Sequence, residues 1–262
     1  MSRLPSAPRW MWAFLDRPRD RFEIAAQFWC AVTGSTLSAR RGDLGQWATF
    51  LPPNGSAHVK LQAVDVCRGG HLDLEVADID VAVDHALGVG ARLLARDRSL
   101  AVLSSPAGLP WCVVPWHGST TPAPPVQTPG GTIRVDQVAL DLAPADFAVE
   151  RDFWAAITGW SLVASVRQEF TLLVPPKDPS PDPAGSARPP VRLLLQRLDD
   201  PAPARMHVDL ACADVPAATA YHCSVGASIV ARHEFWTVMR DPSGEVYCLT
   251  RRDPFTGRVS PG

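Results

Sequence analysis

Residues 71–74 read HLDL, and residues 207–210 read HVDL, 136 positions further along the chain. Phe28-Trp29 likewise recurs as Phe153-Trp154, at an offset of 125 positions. The offset grows from 125 positions near residue 28 to 136 positions near residue 71, which requires a net insertion of eleven residues in the second copy. The proline-rich stretch Pro175–Pro190 is the obvious place for this insertion. The chain therefore contains two homologous copies of one domain, each of a length that can bury its own core.

Composition limits the classes of function. The chain has 262 residues, 46% of them hydrophobic and 20% charged, with a net charge of −2. This balance is typical of a globular protein. It argues against a nucleic-acid-binding function, because such a protein needs clustered Lys and Arg residues to bind phosphates. The six cysteines form no C-x-x-C pair, which favours reduced thiols in a cytoplasmic protein. No stretch approaches the ~18 apolar residues of a membrane span, so we expect no membrane contact.

The apolar pattern predicts two βαβββ units in each copy. In the second copy, Val135 to Leu142 alternates like a half-buried strand, Asp146 offers a helix N-cap, and Gly159 ends the helix. A second unit starts at Met206 and contains a helix at about Val215–Ser224.

Domain boundaries follow from these units and from the proline-rich connectors between them. We predict one domain at 8–116, a Pro/Gly-rich linker at 117–131, a second domain at 132–252 and a tail at 253–262. A mobile loop is expected at Pro175–Pro190.

Several of the quoted segments resemble a known family. They are VDQVALD (135–141), DFWAAITGW (152–160), MHVDL (206–210), SVGA (224–227) and DPSGEVYCL (241–249). In this order they are similar to the glyoxalase-like branch of the vicinal oxygen chelate superfamily, which includes glyoxalase I, bleomycin-resistance proteins and extradiol dioxygenases. The resemblance implies an α+β fold of tandem glyoxalase-like domains. Each domain would pair two βαβββ units in a cupped mixed sheet, with the helices on its outer face.

The resemblance also implies positions for four metal ligands in each cup. In the second copy these are Gln137, Gln196, His207 and Cys248, and in the first copy Trp12, Gln62, His71 and Cys112. Both copies lack the two glutamates of the family pattern, and an indole cannot coordinate a cation. We therefore expect no cofactor. If a metal binds at all, we expect it in the second copy, with Cys248 as a thiolate or with help from Asp209 or Asp141.

Polar residues of the second copy and aromatic residues of the first are the candidate ligand-binding groups. An aromatic lining suits a flat organic molecule, although an H-x-D pair also fits a hydrogen-bonded pair that only supports the fold. The candidates are Gln137, Asp141, Arg192, Gln196, His207, Asp209 and Cys248 in the second copy, and Trp12, Phe14, His71 and Asp73 in the first.

Three functions remain open at this point. The first is a metal-independent glyoxalase-like protein that binds a small, apolar or aromatic molecule, as a monomer or a homodimer. The second is a metal-dependent lyase, isomerase or dioxygenase that acts through the second domain. The third is an interaction scaffold with collapsed cups.

Overall fold

The computed structural model describes residues 7–176 and 189–259. A short 3-10 helix, Arg19–Arg21, precedes the first α-helix. The first repeat forms β1 (Trp10–Pro18), α1 (Phe22–Thr33), β2 (Thr36–Leu37), β3 (Trp47–Leu51), β4 (Val59–Val64), β5 (Gly70–Val76), α2 (Ile79–Gly88), β6 (Arg92–Arg96), β7 (Ala101–Ser104) and β8 (Pro110–Pro115).

The second repeat forms the same series after a short linker strand. The elements are β9 (Val126–Thr128), β10 (Gly131–Leu142), α3 (Phe147–Thr158), β11 (Ser161–Ala164), β12 (Phe170–Val174), β13 (Arg192–Arg197), β14 (Arg205–Cys212), α4 (Val215–Ser224), β15 (Ser228–Arg232), β16 (Trp236–Arg240) and β17 (Val246–Thr250).

Each repeat forms one mixed sheet from two βαβββ units. The strand order is β2-β3-β4-β1-β5-β8-β7-β6 in the first and β11-β12-β13-β10-β14-β17-β16-β15 in the second, where β9 also pairs with β10. Inside each sheet, the strand pairs β5/β8 and β14/β17 run parallel. The predicted α+β class with paired βαβββ units is confirmed.

Helix ends follow the chemistry of their capping residues. Asp78 and Asp214 accept hydrogen bonds from backbone N–H groups three residues ahead, at 3.1 and 2.9 Å, and so begin α2 and α4. Asp146 was predicted to cap α3, but its side chain makes no cap hydrogen bond. Gly34 and Gly159 end α1 and α3 at φ of 61° and 65°, a backbone conformation that favours glycine.

The connectors are more ordered than their composition suggests. The predicted linker contains β9, in which Thr128 pairs with Gly131 of β10. The described part of the tail turns back, with Asp253 N–H donating to the carbonyl of Arg258 at 2.8 Å. Most of the predicted loop at Pro175–Pro190 lies outside the described residues. All six cysteines are free.

No helix within residues 7–176 and 189–259 has the length and apolar character that crossing a membrane requires.

The chain contacts group into two compact units, and each unit draws on both repeats. One unit contains the chain up to Ala13, His71–Pro122 and Val138–Met206. The other contains Phe14–Gly70, Ala123–Gln137 and the chain from His207 onward. This differs from the expectation that each repeat buries its own core. The domain boundaries at 8–116 and 132–252 stay a prediction.

In the second of these units, a buried carboxylate joins α1 to the turn that follows β16. Asp241 accepts hydrogen bonds from Arg17 Nε at 2.8 Å and from the Trp29 indole at 3.0 Å. Burial alone would raise the pKa of Asp241, but the charge of Arg17 and these hydrogen bonds hold it below its ordinary value. Trp29 also packs edge-on against Tyr247, with ring centroids 5.1 Å apart. Side chains of both repeats therefore form this core.

In the other unit, the buried carboxylate that accepts the indole hydrogen bond lies on helix α3. Glu150 of α3 is fully buried. It accepts hydrogen bonds from the Trp154 indole at 2.8 Å and from the backbone N–H of Ala107 at 2.7 Å. Burial raises the pKa of Glu150 above its ordinary value. Trp111 lies edge-on to Trp154, with centroids 5.7 Å apart, so this core also combines both repeats.

We predict that Asp241→Ala strongly destabilises the protein. The change leaves Arg17, whose side chain is 1% exposed, buried without its carboxylate. Breaking a buried pair on one side costs about 3–5 kcal/mol. The measurement is the free energy of unfolding in urea. Asp152→Ala is the control, because its ion pair with Arg151 is on the surface and should change stability little. Similar losses for both variants would contradict the prediction.

A second prediction concerns the stability of the protein at acid pH. His222 is fully buried, and burial lowers its pKa to about 4. The unfolded chain then binds more protons than the folded chain between about pH 6.5 and pH 4. The contribution of His222 to stability is therefore complete above this window and falls inside it by about 1.4 kcal/mol per pH unit.

Urea unfolding near pH 7 and near pH 5 measures this dependence. His222→Gln removes the titrating group and should give a shallower loss of stability toward low pH. His117→Gln, on an exposed residue, should keep the slope of the unchanged protein. A slope that stays the same in His222→Gln would refute the assignment.

Candidate metal centre

The register of β14 and β17 brings three metal-ligating side chains together. His207 and Asp209 are two residues apart on β14 and therefore point to the same face of the strand. The two strands are parallel neighbours in which Asp209 pairs with Cys248. The backbone alone thus places Cys248 beside the HVDL segment.

The three side chains meet through their ligating atoms. His207 Nε2 lies 3.3 Å from Asp209 Oδ1 and 3.6 Å from Cys248 Sγ. All three ligand atoms lie within 4.8 Å of one another. The residues are 7%, 3% and 7% exposed, respectively. We call His207, Asp209 and Cys248 the second triad.

Gln137 of β10 holds the carboxylate of this triad in place. Its side-chain amide donates a hydrogen bond to Asp209 Oδ2. Among the described residues, Asp209 Oδ1 accepts no hydrogen bond, although it is buried. A buried carboxylate oxygen without a donor is costly unless a cation or a donor reaches it. Oδ1 is the oxygen that faces His207.

Charge around the second triad favours an ionised Asp209. Burial on its own would raise the pKa of Asp209, but the adjacent His207, the charge of Arg252 and the amide of Gln137 lower it below its ordinary value. Arg252 is itself held by Asp136 of β10. The site therefore presents a carboxylate that is deprotonated, as a metal ligand must be.

The donor set fits a divalent transition metal. Imidazole, carboxylate and cysteine sulfur are the ligands of zinc and of neighbouring first-row metals, whereas Ca²⁺ and Mg²⁺ prefer oxygen alone. Three protein ligands leave coordination positions open, as is usual in catalytic rather than structural sites. Asp209 Oδ1, which accepts no hydrogen bond from the described residues and lies 3.3 Å from His207 Nε2, is where such an ion would bind.

The first repeat has a corresponding set, which we call the first triad: His71, Asp73 and Cys112. Asp73 of β5 pairs with Cys112 of β8, and these strands are again parallel. His71 Nε2 lies 3.6 Å from Asp73 Oδ1, and the three ligand atoms lie within 4.8 Å of one another. Asp73 and Cys112 are buried.

The strand next to the first triad carries Trp12 in place of Gln137. The Trp12 indole donates to Glu75 Oε1 at 2.9 Å. Glu75, which is 2% exposed, also accepts a longer hydrogen bond of 3.4 Å from the backbone N–H of His117. Sequence analysis did not select Glu75, although the alternation His71, Asp73, Glu75 could have placed it on the same face of β5.

The other predicted site residues lie in different surroundings. Phe14 is buried, and the Lys60 ammonium lies 4.9 Å from the centre of its ring. Asp141 is buried on β10, while Arg192 and Gln196 are half-buried on β13. These last three belong to the compact unit that does not contain the second triad. That they join His207 in one ligand site stays a prediction.

A small cavity of about 50 Å³ lies elsewhere in the same unit as the second triad. It is lined by His58, Phe50, Val126 and Val135, among others, and by no predicted site residue. His58 Nε2 lies 2.9 Å from the Val135 carbonyl oxygen, and burial lowers the His58 pKa to about 4. Nothing in the pattern around His58 distinguishes it in the sequence.

Solved structures with the same fold include a manganese-bound glyoxalase and two dioxygenases. The Mn(II)-bound glyoxalase from Novosphingobium aromaticivorans is 17% identical, with a TM-score of 0.59 over 95% of this chain and 83% of that chain. The 2,2',3-trihydroxybiphenyl 1,2-dioxygenase from Sphingomonas wittichii strain RW1 is 14% identical, with a TM-score of 0.61 over 95% and 90%. A halotolerant catechol dioxygenase is 13% identical, with a TM-score of 0.58 over 94% and 87%.

The prediction that the chain has no cofactor is wrong. It rested on the absence of glutamates at the family's ligand positions. The structure instead places an aspartate two residues after each histidine, with a cysteine beside it, so that each repeat contains a carboxylate-bearing triad. Asp209 had been considered only as a possible helper of a metal in the second copy, and Asp73 had been given no role in metal binding.

Comparison with curated proteins gave no match. The model of the glyoxalase-like domain matches residues 12–114 and again residues 137–250. These segments cover most of the chain and correspond to its two repeats. The chain therefore belongs to the glyoxalase-like domain family, as a tandem pair within the vicinal oxygen chelate fold.

Proposed function

We propose that the second triad holds a divalent metal ion and that the protein uses it to bind a small organic molecule through two adjacent oxygen atoms. The observation that carries the proposal is the convergence of His207 Nε2, Asp209 Oδ1 and Cys248 Sγ, with Asp209 Oδ1 lacking a hydrogen bond within the described chain. A dication at this point satisfies that oxygen and neutralises the negative charge of the ligands.

The protein's own residues prepare this site in three ways. Gln137 fixes Asp209 Oδ2 and so directs Oδ1 toward His207. The parallel pairing of β14 with β17 fixes the thiol beside the carboxylate. Arg252, held by Asp136, supplies positive charge near Asp209 and favours its ionised form. A bound ion would supply Lewis acidity toward an oxygen-bearing ligand.

The substrate class follows from the number of open positions and from the relatives. A metal ion with a coordination number of four to six that already has three protein ligands can accept about two further oxygen atoms. Two similar structures are named for aromatic substrates with neighbouring hydroxyl groups, a catechol and a trihydroxybiphenyl. A small aromatic molecule with vicinal oxygens is therefore the proposed ligand, and the reaction is of the lyase, isomerase or dioxygenase type. Free cysteines throughout suit a cytoplasmic protein.

Catechol and phenol test this proposal as a matched pair, because they differ in one hydroxyl group. We expect the Zn²⁺-loaded protein to bind catechol at least ~10-fold more tightly than phenol, a difference of about 1.4 kcal/mol. Zn²⁺ is the ion of choice because it has no redox chemistry with either the ligand or the thiol. Isothermal titration calorimetry measures both affinities.

Two variants test whether the second triad is responsible for the preference for catechol. His207→Ala should lose the preference for catechol, whereas His117→Ala, on an exposed residue, should keep it. Equal binding of catechol to metal-free and Zn²⁺-loaded protein would overturn the proposal.

A second prediction separates two roles of Gln137. If its amide positions Asp209, Gln137→Leu should weaken Zn²⁺ binding about 10–100-fold, as the loss of a metal ligand's hydrogen-bond partner typically does. Gln137→Glu should also weaken binding, because a second carboxylate cannot donate to Asp209 and repels it. If Gln137 is itself a ligand, the glutamate variant binds Zn²⁺ more tightly instead. The exposed Gln127→Leu serves as the control in a competition titration with a chromophoric chelator.

A further inference from the structure

We propose that Trp236, stacked on His233, is the surface against which the ligand's ring packs at the second triad, and that Trp236 makes the site selective for aromatic over aliphatic ligands. This inference rests on the proposed function, because it concerns the ligand of the same site. It assigns recognition of the ring to a residue that is not itself one of the three metal-ligating side chains. His233 acts through Trp236 and is a positioning residue.

The strand register places Trp236 on the face of the sheet that carries the second triad. Val238 of β16 pairs with Cys248 of β17, which in turn pairs with Asp209. Trp236 pairs with Thr250, one step further along the same two strands. Paired residues on neighbouring strands, and residues two apart on one strand, share a face of the sheet. Trp236 is therefore a diagonal neighbour of Cys248, at a spacing of about 7–8 Å between Cα atoms.

His233 holds the indole in one orientation. The two rings are stacked, with centroids 4.4 Å apart and an angle of 17° between their planes. The backbone N–H of His233 donates to the carbonyl of Trp236 at 2.8 Å, so the turn between β15 and β16 fixes both residues. Trp236 is half-buried and His233 is exposed. The imidazole covers one face of the indole, and a ligand's ring would pack against the opposite face.

The fold does not require aromatic rings at this turn. In the first repeat, Asp97 and Leu100 stand at the positions equivalent to His233 and Trp236, 136 residues earlier. The backbone N–H of Asp97 donates to the carbonyl of Leu100 at 2.8 Å, which is the same hydrogen bond as in the second repeat. The turn therefore forms equally well without the ring pair. A role in binding explains why the pair stands beside the second triad and has no counterpart in the first repeat.

An aromatic surface at this point distinguishes between ligands that chelate a metal ion equally well. Both oxygens of such a ligand would occupy the ion, and the remaining atoms would then lie against the neighbouring strands. A ring that packs on an aromatic side chain binds about 3–10-fold more tightly than its contact area alone predicts. Because the stack with His233 already orders the indole, binding does not have to pay for that ordering.

Phe235 is a matched control for Trp236. It is the preceding residue and is also aromatic and half-buried. Its ring lies 4.6 Å from the guanidinium carbon of Arg251, the residue after Thr250. Successive residues of an extended chain point to opposite faces, so Phe235 points away from the second triad.

The experiment compares acetohydroxamate with benzohydroxamate, which carry the same two-oxygen chelating group and differ in a methyl or a phenyl substituent. Isothermal titration calorimetry measures both affinities for the Zn²⁺-loaded protein. We expect the unchanged protein to prefer benzohydroxamate. Trp236→Leu should reduce this preference about 3–10-fold, with the affinity for acetohydroxamate and for Zn²⁺ unchanged. Trp236→Phe should keep most of the preference, His233→Ala should lose part of it, and Phe235→Leu should keep it all.

The possible failures of this inference and of the proposed function are distinguishable. An undiminished preference in Trp236→Leu, or no preference in the unchanged protein, overturns the inference and leaves the proposed function intact. Weaker binding of acetohydroxamate or Zn²⁺ in Trp236→Leu also overturns it, because the indole then supports the metal site instead of the ring. Equal binding of both hydroxamates to metal-free and Zn²⁺-loaded protein overturns the proposed function itself. If circular dichroism shows that Trp236→Leu is unfolded, Trp236→Val replaces it, since strands favour β-branched residues.

Discussion

Burial of carboxylates is the constraint on which this structure depends. A carboxylate removed from water must receive either strong donors or a cation, since its desolvation otherwise opposes folding. Asp241 receives Arg17 and the Trp29 indole, and in this way it fastens α1 to the turn after β16. Glu150 receives the Trp154 indole and the Ala107 N–H, and it fastens α3 to the turn after β7. Each compact unit thus contains a buried carboxylate whose hydrogen bonds are satisfied.

In the second triad, the hydrogen bonds to the buried carboxylate are incomplete. Gln137 satisfies one oxygen of Asp209, while the other faces His207 without a hydrogen bond from the described residues. Where the cores use arginine or indole groups as partners, the triads offer imidazole and thiol, which are ligands rather than fixed cations. Under the function proposed above, a metal ion would complete the second triad, and the open positions around it would bind a substrate's oxygens.

Sequence analysis could predict the repeats and the strands, because both depend on local patterns. Offsets of 125 and 136 residues and a period-two alternation placed His207 and Asp209 on one face of a strand. The pairing of Asp209 with Cys248 depends on which strands become neighbours, and no local pattern contains that information. The sharing of each core between repeats was missed for the same reason: Trp29 and Tyr247 are far apart in sequence but pack with ring centroids 5.1 Å apart.

Comparison of the two repeats distinguishes groups that support the fold from groups that can bind a ligand. The core carboxylate changes its place between repeats: Ser105 occupies the position equivalent to Asp241, and Glu150 on the neighbouring helix accepts the indole instead. A supporting contact can be rebuilt in this way because only its charge and donors matter. Histidine, aspartate and cysteine, in contrast, stand at equivalent positions in both repeats with the same strand pairing. Coordination requires particular atoms at one point, so a triad cannot shift as the core carboxylate did.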